Sequence, residues 1–242
     1  MNTKAIKLIA MDLDGTLTQH KTMLEGQNRE TLDRLGKRYR LLMVGAGQCA
    51  RIFKQMGQYP IDIIGNYGLQ YSRYDANEKA LKPVFDRKFP CDRDKVQEII
   101  AGLRSSLGYE RYIGDSVEFH ESGSITFPLL GTKAPLDKKL SFDPDRALRR
   151  KMYAEVVAAF PEYRVFVGGS SSFDMAPAPF DKYHALDSFC RQEGLLHENV
   201  VYIGDDYGLG GNDEAVYRSD FSFLTIDDYR DFPRVVDGLL SV

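Results

Sequence analysis

Asp12-Leu13-Asp14-Gly15-Thr16 follows the apolar run Ile6 to Met11 directly, so two carboxylates leave a hydrophobic segment together. Both side chains can reach one space, because the chain quits the sheet at this turn and escapes strict strand alternation. Carboxylates this close repel unless a cation lies between them, and a hard, oxygen-seeking ion such as Mg²⁺ supplies that charge. A bound ion would keep Asp12 ionised and neutralise part of an incoming phosphate dianion, which makes nucleophilic attack by the carboxylate feasible. An acidic turn with a left-handed glycine would use the same residue types, so the downstream acids carry weight. Gly204-Asp205-Asp206 ends another apolar run, Val200 to Ile203, and Gly210-Gly211-Asn212-Asp213 follows closely. Asp205 could complete the metal's oxygen shell, with Asn212 and Asp213 holding neighbouring groups in place. Lys182, in Phe180-Asp181-Lys182 at a helix start, could balance phosphate and carboxylate charge as a point cation.

The elements that must position these groups alternate. Ile6 to Met11, Leu41 to Val44 and Ile61 to Ile64 are short apolar runs separated by helical segments near 27–38 and 49–56. That rhythm marks a doubly wound parallel sheet, whose functional groups gather at the carboxyl ends of the strands. After Asn66 the rhythm changes. Hairpins are expected at 69–85 and 117–127, helices at 92–107 and 143–160, and a further strand pair at 164–175. Paired strands with intervening helices indicate an α+β insertion. A helix over 183–192, the strand Val200 to Ile203, the strand Phe221 to Thr225 and a closing helix near 233–240 resume the sheet. The expected organisation is a Rossmann-like α/β core over 1–82 and 179–242 carrying a smaller α+β cap over 83–178.

A chain of 242 residues with 43% hydrophobic content can bury a substantial core. The formal charge of −3 gives no basic surplus for a phosphate backbone, so nucleic acid is not an expected partner. No apolar run approaches the roughly 18 residues that span a bilayer, so no membrane association is expected. Cys49, Cys91 and Cys190 are odd in number and share no short spacing, which suits a reducing compartment and a cytoplasmic protein.

The motifs together resemble the haloacid dehalogenase superfamily, and in detail the eukaryotic-type phosphomannomutases. The resemblance runs through the Asp12-to-Thr18 opening, Val44-Gly45-Ala46-Gly47, Asn66-Tyr67-Gly68-Leu69, Val117-Glu118-Phe119, Gly168-Gly169 to Asp174, Phe180-Asp181-Lys182 and the Gly-Gly-Asn-Asp loop. It implies that Asp12 is nucleophile and metal ligand, and that Asp14 is general acid/base and a ligand through its backbone carbonyl. By the same resemblance Asp205 is a ligand, Lys182 balances charge, and Ser172 and Asp174 face substrate from the cap. Ala46 stands where the superfamily usually carries Ser or Thr, as in phosphomannomutases, leaving backbone N–H groups of the Ala46-Gly47 turn to hold phosphate. One departure is larger: where phosphomannomutases carry two cap arginines, this chain has His120 and, roughly, Lys133. Neither reproduces a bidentate guanidinium.

The sequence therefore leads to a Mg²⁺-dependent phosphatase of a small phosphate ester, a sugar phosphate by resemblance. A sugar phosphomutase and a non-catalytic sugar-phosphate-binding protein are the alternatives. Oligomeric state stays open, a homodimer included.

Overall fold

The computed structural model describes residues 5–241. The chain divides into two compact units. One comprises the chain up to Asp86, Asp181–Gly208 and the chain from Asp213 onward; the other comprises Arg87–Phe180 and Leu209–Asn212. In chain order the elements begin with β1 (Leu8–Met11), α1 (Gly26–Gly36), β2 (Arg40–Val44), α2 (Cys49–Gln55), β3 (Asp62–Gly65), β4 (Gln70–Asp75) and β5 (Ala80–Asp86). Then come α3 (Arg93–Leu107), β6 (Glu118–Phe119), β7 (Ile125–Pro128), α4 (Leu136–Phe142), α5 (Ala147–Ala159), β8 (Tyr163–Phe166) and β9 (Ser172–Pro177). The chain closes with α6 (Lys182–Glu193), β10 (Val200–Gly204), α7 (Glu214–Tyr217), β11 (Ser222–Thr225), α8 (Phe232–Val235) and α9 (Asp237–Leu240).

The larger unit is a Rossmann-like α/β core around a seven-stranded sheet in the order β11-β10-β1-β2-β3-β4-β5. From β11 to β3 every pairing is parallel; β4 and β5 add on antiparallel. The short apolar runs become strands buried on both sides, as parallel strands between helical layers must be. Alternate residues serve opposite faces. Ile9, Met11, Met43, Ile63, Val201 and Ile203 pack with Leu32 and Leu35 of α1, Ile52 of α2 and Phe232 of α8. Leu8, Ala10, Leu42, Val44 and Tyr202 pack with Leu186 and Phe189 of α6. The carboxyl ends of β1, β2 and β10 consequently open on one edge, where Asp12, Gly45 and Asp205 leave the sheet.

The hairpin expected at 69–85, most of it inside the expected core bounds of 1–82, lies in this sheet. Its alternating polar pattern matches an edge position, and β5 runs as a paired strand to Asp86, past the expected limit at 82.

The smaller unit has a four-stranded antiparallel sheet in the order β6-β7-β9-β8. One face, with Ile125, Phe127, Val165, Phe173 and Met175, packs on Val96, Ile100 and Leu103 of α3 and Val156 of α5. The register puts Glu118, Thr126, Asp174, Phe166 and Arg164 on the opposite face. The helix expected from 143 begins at Ala147, because the Asp143 carboxylate accepts from the backbone N–H groups of Leu148 and Arg149, both at 3.0 Å, and occupies the entry to α5. Pro144 therefore lies in the lead-in, and residues 136–142 form the separate helix α4.

Candidate active site

Asp12 follows β1 and is held there by its backbone N–H, which donates to the Ile203 carbonyl of β10 at 3.0 Å. Its buried carboxylate meets Lys182, the first residue of α6, with Lys182 Nζ 2.9 Å from Asp12 Oδ1. Asp181 fixes that helix start by accepting from the His184 N–H at 2.7 Å. Lys182 has no solvent exposure and also donates to Asp213 Oδ1 at 2.7 Å. The same Asp213 oxygen accepts from the Tyr202 hydroxyl at 2.6 Å, and Asp213 Oδ2 accepts from the Asp206 N–H at 3.1 Å. Asp213 is thus a well-bonded anchor for the lysine.

Asp205 leaves β10 beside the Asp12 turn, where Thr16 donates its hydroxyl to Asp205 Oδ1 at 3.1 Å. Gly15 is needed twice over. Its φ is +94°, and a Cβ there would collide with the Asp205 carboxylate. Oxygens of Asp12, Asp205 and Asp213 come within 4.8 Å of one another. Burial is the main cause pushing the Asp12 carboxyl up to about 7, with Lys182 opposing and Asp213 and Asp14 adding to the rise. Burial, then the charges of Asp12 and Asp213, push Asp205 up to about 8. Burial alone would lower the Lys182 ammonium, but Asp12 and Asp213 raise it well above the usual lysine range. Crowded carboxylates with all-oxygen donors and one compensating lysine suit a hard divalent cation such as Mg²⁺.

Asp14 points elsewhere. Its Oδ1 accepts from the Lys21 N–H and from Gln55 Nε2, each at 2.6 Å, and its Oδ2 lies 3.5 Å from Arg51. Gln55 also donates to Thr18 Oγ1 at 3.2 Å, tying α2 to the Asp12–Thr18 turn. Ala46 and Gly47 follow β2 with Gly45, and a Cβ placed on Gly45 would lie 3.9 Å from Asp12 Oδ1, so this turn lies against the Asp12 carboxylate.

Of the residues singled out in the sequence, Asp12, Asp14, Lys182, Asp205, Asp213 and the Ala46-Gly47 turn thus share one edge of the larger unit. Asn212 lies in Leu209–Asn212, grouped with the smaller unit. There, His120 Nε2 is 3.0 Å from Thr126 Oγ1, which donates to Asp174 Oδ1 at 2.9 Å. Ser172 Oγ donates to the Gly168 carbonyl at 3.1 Å. Lys133 is not joined to that chain; its backbone N–H bonds the Ile113 carbonyl, and its stem packs on Gly114. The sequence reading gave Thr16 no role beyond its place in the motif and missed Gln55, Arg51, Tyr202 and Thr126. The four-residue spacing of Arg51 and Gln55, which puts both on one face of α2, was the available signal.

The sequence profile of the eukaryotic phosphomannomutase family matches residues 28–228. The chain belongs to this family. The matched span begins after the Asp12 turn, but relatives extend over it. A phosphomannomutase of Saccharomyces cerevisiae is 25% identical over 222 residues, 87% of this chain and 84% of its own length. A probable phosphomannomutase of Caenorhabditis elegans is 25% identical over 251 residues, 97% of this chain and 95% of its own. An IMP-nucleotidase of Plasmodium falciparum shares the fold, with a TM-score of 0.66 at 17% identity over 98% of this chain and 69% of that one. A member of a phosphoryl-transfer superfamily aligns with a TM-score of 0.63 at 15% identity, covering 97% of this chain and 99% of that one. The phosphomannomutase family and this fold place the chain in the haloacid dehalogenase superfamily of phosphoryl-transfer enzymes. No helix among the described residues is long and apolar enough to cross a membrane.

Proposed function

We propose that the protein is a Mg²⁺-dependent phosphatase of a small phosphorylated metabolite, a sugar phosphate, working through an aspartyl-phosphate. The observation that carries this reading is the buried Asp12 carboxylate at a strand end, paired with Lys182 and crowded by Asp205. Asp12 attacks phosphorus in line with the leaving oxygen. Asp14, steadied by Gln55 and the Lys21 N–H, protonates the departing alcohol and then takes a proton from the water that cleaves the acyl phosphate. Lys182 offsets charge on Asp12 and on the phosphoryl oxygens, and Asp213 with Tyr202 fixes its position. Mg²⁺, held by the Asp12 and Asp205 carboxylates and the Asp14 carbonyl, would neutralise phosphoryl charge as a Lewis acid. The free thiols of Cys49, Cys91 and Cys190 suit a cytoplasmic setting.

The choice of phosphatase over mutase rests on the cap. A mutase must grip one phosphate of a bisphosphate intermediate while the other meets Asp12. Each bidentate arginine contact is worth roughly 1.5–3 kcal/mol, so replacing two by His120 and Lys133 costs a factor of about 10² to 10⁴ in retention. The buried cap arginines do not compensate. Arg104 donates to the carbonyls of Tyr109, Ser116, Pro128 and Leu129, and Arg149 to those of Asp143, Gly168, Gly169 and Ser172. Family membership and Arg164, on the same sheet face as Asp174, favour the mutase as second reading. With hexose 1- or 6-phosphate, Mg²⁺ and added hexose 1,6-bisphosphate, inorganic phosphate should form much faster than the isomeric sugar phosphate. Isomer formation outpacing phosphate release would overturn the phosphatase assignment, and no turnover of any ester would favour a binding protein.

A further inference from the structure

The turn that joins β3 to β4 has an uncommon backbone. Asn66 and Tyr67 both lie in the left-handed region, at φ +50° and +56°, and Gly68 follows at +93°. Asparagine tolerates that conformation, but a bulky tyrosine there is an outlier that persists only where its surroundings require it. The conformation brings two donors to the turn after β2. The Asn66 N–H donates to the Gly47 carbonyl at 2.7 Å, and the Tyr67 N–H to the Gly45 carbonyl at 3.4 Å. Gln70 of β4 adds a third bond, its Oε1 accepting from the Cys49 N–H at 3.1 Å. Gly65 lets the two turns close up, since a Cβ there would sit 2.7 Å from the Gly47 carbonyl oxygen and 2.8 Å from the Cys49 nitrogen.

These bonds set the direction of the neighbouring amides. In a planar trans peptide the N–H points opposite to the carbonyl it follows. With the Gly45 and Gly47 carbonyls turned to the end of β3, the N–H groups of Ala46 and Gln48 point away from it. β2 stands between β3 and β1, so they point to the side on which β1 delivers Asp12. Neither N–H has an acceptor among the described residues.

We infer that the Asn66-Tyr67 turn is a positioning element for phosphate: by holding the Gly45 and Gly47 carbonyls it aims the Ala46 and Gln48 N–H groups at the phosphoryl group presented to Asp12. The inference rests on the phosphoryl-transfer reading above and deepens it. Ala46 brings no hydroxyl to the turn, so the direction of these two amides decides how firmly the turn holds an anion. The left-handed residues act through the backbone alone, and none of their side-chain atoms needs to touch the substrate.

The test is calorimetric binding of inorganic phosphate, with Mg²⁺ present, to the wild type and to Asn66→Val, Asn66→Gly and Gly65→Ala, with turnover of p-nitrophenyl phosphate and the thermal transition measured alongside. Valine, branched at Cβ, resists a left-handed φ, so Asn66→Val should raise the phosphate Kd about tenfold. Asn66→Gly accepts that φ and keeps the N–H, so it should stay within about twofold of the wild type. Gly65→Ala should act in the same sense as the valine, because its Cβ pushes the Gly47 carbonyl away. The Mg²⁺-dependent rise in Tm should be alike in every variant, since the proposed ligands leave β1 and β10. In isotope-labelled wild type, the amide resonances of Ala46 and Gln48 should move as phosphate is added; this reading stands without any variant, should Asn66→Val fail to fold. Phosphate binding that moves both amides without ester turnover would support the inference and defeat the enzymatic reading. Ester turnover by the wild type, with phosphate Kd unchanged in Asn66→Val and Gly65→Ala and only Tm lowered, would overturn the inference and leave the enzymatic reading standing. Phosphate binding that leaves the two amides unmoved, or no phosphate binding by the wild type, would overturn it as well.

Discussion

Replacing Lys182 by methionine removes the cation bonded to Asp12 at 2.9 Å and Asp213 at 2.7 Å, and leaves an unbranched side chain in a site without solvent. Removing one partner of a buried pair costs about 3–5 kcal/mol. Part of that cost should depend on pH. The Asp12 carboxyl is raised from 3.8 to about 7 by burial, against the lowering effect of Lys182. A carboxyl raised in the folded state contributes stability that is full below its unfolded pKa and lost as pH rises through the folded one. In the wild type the loss on Asp12 is complete near pH 7; without Lys182 it continues to higher pH. At pH 8.5, about 1.5 units beyond, the extra loss reaches about 2 kcal/mol at about 1.4 kcal/mol per unit. Asp205, raised to about 8 by burial and by Asp12 and Asp213, shifts in the same sense because Lys182 also lowers it. Lys182→Met should therefore be destabilised by about 2 kcal/mol more at pH 8.5 than at pH 5.5. Urea unfolding of both proteins at the two pH values, with a chelator present, measures this. A penalty independent of pH would show that Lys182 contributes only packing, and would refute the electrostatic reasoning.

Gly15→Ala puts a Cβ against the Asp205 carboxylate at φ +94°, so it should weaken Mg²⁺ binding about tenfold or more, read as a smaller Mg²⁺-dependent rise in Tm. An unchanged rise would mean that Asp205 does not bind the ion. In the cap, burial would raise the Asp143 carboxyl, but the Arg149 guanidinium and the backbone N–H groups of Arg149 and Leu148 hold it below its ordinary 3.8. That stability is present above the unfolded pKa and is lost as pH falls through the lower folded value, so Arg149→Lys should move acid unfolding to higher pH and cost about 2–3 kcal/mol at neutral pH. Coincident acid transitions would refute it.

The strand-end acids were legible because Asp12 and Asp205 each follow an apolar run that only a buried strand explains, and parallel strands open their carboxyl ends on one edge. Lys182 was legible only from the order of motifs, since a lysine at a helix start is ordinarily a surface residue; its burial depends on α6 packing on the sheet face of Leu8 and Ala10 of β1. Arg51 and Gln55 were overlooked because their meaning depends on which face α2 turns toward the Asp12 turn. Tyr202 read as one more apolar strand residue, its hydroxyl partner being a residue of the following loop. Arg104 and Arg149 carry no signal in the sequence, since helix arginines are ordinarily solvated, yet both are buried and spent on backbone carbonyls, a role that needs the loops to fold around them. The hairpin after Asn66 straddled the expected boundary at 82 because alternating polar residues suit any half-exposed strand, and sequence alone does not say which sheet it joins.

The edge of the core sheet formed by β5 has a bearing on how copies of this chain can meet. Open strand edges template pairing with other chains and so invite aggregation. Here Lys82, Pro83 and Val84 are exposed in mid-strand, and the ladder to β4 shifts register between Tyr71 and Ser72. Proline withholds one ladder donor, lysine sets a charge where a neighbouring strand would lie, and the irregular pairing bends the rim out of line. Any self-association that extended the sheet past β5 would have to fit an irregular strand with an exposed lysine and proline at its middle, so this rim disfavours a dimer built as one continuous sheet.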